Sequence, residues 1–390
     1  MSTLFRIALL AGLNLAVLSA QAQYQAIDRH ARRAPDTLLH ALPQLVGYLA
    51  EPAENEREKA RSLYAWLAHN IAYDEEASRQ DRRINQNIED ILRRGRGLCF
   101  DYSLLYAELC RLAGLQCVSV SGYSRQGLEA MEMPPAPDHS WNAIFLDGHW
   151  QLIDVTWGAS PGQDALMAVY GADYFLSPPR LFILNHLPAQ PMWQLLPCPV
   201  GPAEFCRPAD ALAALVKAQD SCYNYPDTIR AFLQHSGQEQ SLLEAESAYR
   251  FHSTAKNQAA WAQSLLDYAV YLSEQASPLQ QADSLKAFLK LQAEAISYCR
   301  KAQVLAPFLP WQTEFYAGLL VNQAVALNQQ SDKVRAEAEE LALLKEARKN
   351  LEEAKRTLLA LPADNYYRQY AEQQCAAYLE AIAHNIRRLE

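Results

Sequence analysis

The sequence predicts an α+β domain followed by an all-α one, and three observations carry that reading. Mixed helical and strand patterning gives way near residue 200 to a chain dominated by Ala, Gln, Leu and Glu. The change is marked by LPCPVGP (Leu196 to Pro202), whose prolines and glycine prevent a continuous helix. Before it, HSWNAIFL and HWQLIDVTW flank Asp147 and Gly148, the strongest short signal for a two-residue β-hairpin. The 390 residues suit two or three domains at about 150 residues each. We place the first domain at about 23–199 and the second at 200–390.

Residues 1–22 read as a cleaved signal peptide. Arg6 precedes the apolar run from Ile7 to Ala20, and Ala20 and Ala22 frame an A-x-A site. The run is shorter than the roughly 20 residues that span a bilayer and contains Asn14. A secreted or periplasmic protein is therefore expected, with no membrane span after signal removal. Further on, Leu63, Trp66, Leu67 and Ile71 recur at helical spacing. After Gly95 and Gly97 comes a second helix, CFDYSLLYAELCRLAG, with Leu104, Leu105, Leu109 and Leu112 as its apolar stripe and Gly114 as its stop. QCVSVSGYS alternates as a strand does, and the hairpin follows.

The second domain is patterned as helix almost throughout, punctuated by Pro278, Pro307, Pro310 and Pro362. YAVYLSEQ, QAVALNQQ and CAAYLEAI recur at a period of about 50 residues, each copy fitting one helical hairpin. The pattern resembles degenerate tetratricopeptide-type repeats with a longer period; an irregular helical bundle is the alternative.

Composition excludes several classes. Half of the residues are apolar, with 14 Gly and 20 Pro, so the chain is neither collagen-like nor wholly disordered. A net charge of −9 without a dense Lys/Arg run argues against a nucleic-acid partner. The eight cysteines form no C-x-x-C pair. An oxidising compartment would permit disulfides, and proximity favours Cys198 with Cys206, with buried reduced thiols as the alternative.

Cys99 opens the second helix directly after RRGRGL. The unpaired N–H groups and dipole of a helix N-terminus favour the thiolate, the nucleophilic form. An isolated cysteine there is more often a small buried apolar residue; the hairpin changes that balance. With Asp147 and Gly148 as the turn, Trp141 faces Asp154, and His139 lies diagonally from Asp154 at about 7 to 8 Å. His139, Trp141 and Asp154 then share one face. An unpaired carboxylate in the apolar strand LIDVTW would cost several kcal/mol, so Asp154 needs a partner. Cys99, His139 and Asp154 make the order Cys, His, Asp, suited to covalent acyl transfer.

GLCFDYSLLYAELCRLAGLQC, DHSWNAIFLDGHWQLIDVTWG and YFLSPPRLFILNHLPAQPMWQLL, preceded by WLAHNIAYD, resemble the transglutaminase-like superfamily, and within it the subgroup related to the kyphoscoliosis peptidase. The resemblance covers about residues 56–197. It implies a papain-like core, helices packed on an antiparallel sheet, with Cys99 as nucleophile, His139 as general base and acid, and Asp154 as orienting residue. The Cys99 N–H is a natural oxyanion donor; Gln86 and Trp141 are candidates for the second. Trp141, Tyr102 and Trp157 are expected to line the substrate cleft, each with core packing as the plainer alternative. His186 reads as structural. No histidine spacing suggests a metal, and no cofactor is implied.

These features point to a secreted cysteine acyl-transfer enzyme hydrolysing protein or peptide amides. The alternatives are a transglutaminase or deamidase acting on Gln, or a non-catalytic scaffold of the same fold. A helical C-terminal half offers a surface for a protein partner.

Overall fold

The computed structural model describes residues 24–80, 87–159, 173–280 and 284–390. The segment read as a signal peptide and Gln86 lie outside the described residues. Two compact units divide between Phe232 and Leu233. The first unit thus runs past the proline-rich segment at which composition changes, because backbone bonds tie the following residues to it. Met131 N–H donates to the Cys206 carbonyl, Ala209 N–H to that of Leu128, and Cys222 N–H to that of Pro197.

The first unit begins with three helices, α1 (Gln25–Ala31), α2 (Leu42–Ala50) and α3 (Glu56–Asn70). Asn55 caps α3 by accepting the Glu58 N–H at 3.0 Å. Leu63, Trp66 and Leu67 are buried along it, and Ile71 follows its end, also buried. Next come β1 (Ala72–Tyr73), α4 (Glu75–Arg79), α5 (Ile88–Arg94) and β2 (Arg96–Gly97), with β1 and β2 paired in parallel through Ala72 opposite Arg96 and Tyr73 opposite Gly97.

Helix α6 (Cys99–Leu112) follows at once. Asp101 Oδ2 accepts the Leu98 N–H at 2.8 Å, occupying a donor at the helix start. Its inward stripe is centred one residue away from the leucines that the sequence suggested: Tyr102, Leu105, Tyr106 and Leu109 are buried, while Leu104 and Leu112 are half-buried. Two tyrosines can occupy that stripe because their hydroxyls find carbonyls, Tyr102 donating to Ile71 and Tyr106 to Ala60.

The main sheet contains β3 (Gln116–Ser124), β4 (His139–Leu146), β5 (His149–Ile153) and, after the short helices α7 (Val155–Gly158) and α8 (Pro179–Phe182), β6 (His186–Pro188). Its order is β5-β4-β3-β6, antiparallel throughout. Asp147 and Gly148 have φ of 52° and 81°, both positive as a type I′ turn requires. That turn fixes the register at Ala143 opposite Leu152 and Leu146 opposite His149, the pairing expected from sequence. At Gly122, opposite His139, a Cβ would come within 2.3 Å of the Leu187 carbonyl oxygen and 2.5 Å of the Trp141 ring.

Short helices α9 (Pro202–Phe205), α10 (Ala209–Ala218) and α11 (Tyr225–Phe232) complete the unit. The disulfide joins Cys198 to Cys222, with Cα atoms 4.9 Å apart, and not to Cys206 as sequence proximity suggested. The Cys222 and Tyr223 N–H groups both donate to the Pro197 carbonyl and bring Cys222 alongside, whereas Cys206 ends α9 as a free thiol.

The second unit is built from α12 (Gly237–Phe251), α13 (Ala255–Ala276), α14 (Leu285–Leu305), α15 (Pro310–Ser331), α16 (Glu337–Leu358) and α17 (Tyr366–Leu389). Helix α13 packs chiefly on α14 and α15 on α16, so the helices are arranged as hairpins. The three repeated blocks fall within α13, α15 and α17, where Tyr268 and Leu272, Gln323 and Leu327, and Cys375 are buried at matching positions. Helices of 21 to 24 residues account for a period longer than that of tetratricopeptide repeats. Among the described residues no helix is long and apolar enough to cross a membrane.

Candidate active site

Each member of the expected triad is placed by an element boundary. Cys99 is the first residue of α6, half-buried and not in a disulfide. His139 is the first residue of β4 and is 6% exposed. Asp154 follows β5 directly, is fully buried, and caps α7 by accepting the Trp157 N–H on Oδ1 at 3.1 Å. Its other oxygen, Oδ2, accepts from His139 Nε2 at 2.7 Å. Because Asp154 takes Nε2, Nδ1 is the ring nitrogen left free of that carboxylate, and Cys99 lies close enough to raise the His139 pKa.

The electrostatics follow from burial working against proximity. Burial alone would discharge His139, but the Asp154 charge, the hydrogen bond to it and the neighbouring Cys99 push its pKa from 6.5 up to about 10. Burial likewise works to raise the Asp154 carboxyl. The charge on His139 and the hydrogen bonds from His139 and His186 override it and hold the group below the usual carboxylate range. The favoured state is therefore an imidazolium beside a carboxylate. A thiolate paired with that imidazolium is the nucleophile of covalent acyl transfer.

His186, read from sequence as structural, is a second donor to the same carboxylate oxygen. Its Nε2 lies 3.0 Å from Asp154 Oδ2, and its Nδ1 lies 2.6 Å from Asn185 Oδ1. The Asn185 amide in turn donates to the Tyr174 hydroxyl at 2.8 Å. The His186 ring stacks on Phe182 at 4.1 Å between centroids and lies 4.6 Å from Trp157 and 4.9 Å from Trp141. This aromatic enclosure fixes the second imidazole and excludes water from Asp154. Only the Asn-His pair within NHLPAQPMW hinted at such a role.

His139, Asp154 and His186 also place one ligand-type atom each within 4.8 Å of one another. Their distances are those of hydrogen bonds, however. Both Nε2 atoms spend a proton on Asp154 Oδ2, and Oδ1 is held by the Trp157 N–H, so the donor set faces inward on itself. It fits a hydrogen-bonded clamp on the carboxylate better than a cation.

The expected cleft residues divide. Trp157 is half-buried, its ring 5.2 Å from that of His139, and so borders the site. Tyr102 is 1% exposed with its hydroxyl donated to Ile71, which makes it a core residue rather than a cleft residue. Trp141 is also 1% exposed and backs the His139 ring at 5.8 Å; its buried indole N–H has no partner among the described residues. Tyr73, which sequence reasoning passed over, lies within electrostatic reach of Cys99. The parallel pairing of β1 with β2 puts it opposite Gly97, two residues before the nucleophile position. Burial raises the pKa of its phenol, which remains a protonated donor at neutral pH.

Residues 43–155 match the transglutaminase-like superfamily. The N-terminal part of this chain is a transglutaminase-like domain with a papain-like core. In particular it is similar to the kyphoscoliosis peptidases of mouse, 37% identical over 174 residues, and human, 35% identical over 189. These alignments cover 43% and 47% of this chain but 26% and 28% of the relatives. Hillarin of Drosophila melanogaster is 29% identical over 204 residues, 47% of this chain and 24% of that protein. The similarity therefore concerns one domain, and the chain spans about a quarter of the length of these relatives.

Proposed function

We propose that this protein is a cysteine acyl-transfer enzyme that hydrolyses protein or peptide amides through a thioester on Cys99. The observation that carries the reading is the buried His139–Asp154 bond of 2.7 Å, with Cys99 at the start of α6 close enough to raise the His139 pKa. The Cys99 sulfur attacks the amide carbonyl carbon, and the His139 imidazolium gives its Nδ1 proton to the departing amine. Water then adds to the thioester, its proton passing to His139, and the carboxylic acid leaves as the thiolate–imidazolium pair is restored. Asp154 keeps a proton on Nε2 throughout, so that Nδ1 does the exchanging; His186 holds Asp154 in place. The Cys99 N–H and the Tyr73 hydroxyl are the donors we assign to the oxyanion.

A primary amine in place of water would make the same site a transglutaminase, and attack on a Gln side chain followed by water a deamidase. The kinship in name with peptidases favours hydrolysis. The apolar run and A-x-A site of residues 1–22 support export. The test is mass spectrometry of a Gln-containing peptide library incubated with wild-type and Cys99→Ala protein, with and without a primary amine. Cleavage that depends on Cys99 is expected. Amine incorporation or a deamidation mass shift would redirect the assignment, and no Cys99-dependent product would favour a scaffold.

A further inference from the structure

The second unit carries a groove that the chemistry at Cys99 does not use. It encloses about 570 Å³ between α15 and α17. From α15 it takes Gly318, Val321, Asn322, Val325 and Gln329, and from α17 Tyr367, Tyr370, Gln374 and Tyr378. Both sets recur every three or four residues, so each helix presents one whole face to the groove. The opposite face of α15, with Tyr316, Leu320 and Leu327, is in the core, so this helix is committed on both sides.

The lining is selective. Among the described lining residues, which also include Gln280, none is charged, although a fifth of the chain is. What remains is three phenol rings, small or branched apolar side chains, and amides. Tyr370 is 53% exposed, and Asn322 and Gln329 are exposed. An ionic ligand finds no counter-charge here. A strand-like peptide finds no sheet edge, since a helix's mid-segment backbone groups are already paired. A helical ligand would bring no free carbonyls to the amides. An uncharged peptide in the polyproline II conformation meets all three features: its rings lie flat on tyrosines, its unpaired carbonyls accept from amide and phenol donors, and it is already extended before binding.

We infer that the α15–α17 groove is a binding site for an uncharged, proline-rich peptide segment, independent of the chemistry at Cys99. The test is fluorescence anisotropy of fluorescein-labelled decaproline titrated with the full chain, wild type and Cys99→Ala. Saturable binding is expected in both, weakened about tenfold or more by Tyr370→Ala and measurably by Asn322→Ala. Both substitutions are on exposed positions, and unchanged circular dichroism would show that the helices persist. The inference is overturned if decaproline fails to saturate, or if neither substitution alters its affinity. Equal binding of a labelled Glu-Lys decamer would also overturn it. So would displacement by chitohexaose with the same sensitivity to Tyr370→Ala, which would mark a neutral-glycan site.

Discussion

Replacing Asp154 by Asn probes the site at its most connected atom. In the native protein Oδ2 accepts from two imidazole Nε2 atoms and Oδ1 from the Trp157 N–H. An amide can keep the Oδ1 bond, but it then points an NH2 group at two ring N–H donors. His139 is relieved by moving its proton to Nδ1, which leaves no acceptor for the Cys99 proton. The rise of His139 from 6.5 to about 10 means a preference for imidazolium of roughly 5 kcal/mol, most of it owed to Asp154. With the carboxylate gone, burial should pull the His139 pKa below 6.5. We expect the rate of Cys99 alkylation by iodoacetamide at pH 7 to fall by a factor on the order of 10³, less than the roughly 10⁴ lost on the corresponding change in a serine triad. Peptide mapping must locate the adduct, because Cys110, Cys117, Cys206, Cys299 and Cys375 are also free. Alkylation of Cys99 in Asp154→Asn at the native rate and with the native pH profile would refute the ion-pair argument.

The same group controls stability with pH. His139 binds its proton more tightly folded than unfolded, so its contribution is complete below pH 6.5 and is lost as the pH rises through about 10; the unfolding free-energy gap between wild type and Asp154→Asn, measured in urea, should narrow across that window. His186→Gln should slow Cys99 alkylation by about tenfold while leaving the adduct site unchanged, a pure packing role predicting lost stability with native reactivity. Tyr73→Phe should lower kcat by roughly 10- to 100-fold with KM little changed if its hydroxyl meets the oxyanion, and equal kcat in the two proteins would exclude it. Gly122→Ala should destabilise by about 2 to 4 kcal/mol in urea unfolding, because the Leu187 carbonyl and Trp141 ring occupy the space of a Cβ.

The hairpin was readable from sequence because a two-residue turn leaves one register, and that register sets His139 beside Asp154 without any long-range information. The apolar stripe of α6 was misplaced by one position because Tyr102 and Tyr106 look amphipathic in sequence; only distant carbonyls at Ile71 and Ala60 make their burial tolerable. His186 was out of reach for a related reason. It arrives on β6, which pairs with β3 across a long connection, and no spacing rule links residue 186 to residue 154. The Cys198–Cys222 bond depends likewise on a loop folded back to Pro197. Tyr73 is brought within electrostatic reach of Cys99 by a two-residue parallel ladder, too short to leave a pattern.

Asp154 terminates a strand, starts a helix and receives both imidazoles, whereas Cys99 can be exchanged for another small residue without disturbing any of these bonds. A descendant that gave up chemistry would therefore shed its sulfur first and retain the acid as scaffolding. On the function proposed above, loss of activity would be diagnosed first at the position of Cys99, since the histidine and aspartate serve the fold as well as the chemistry.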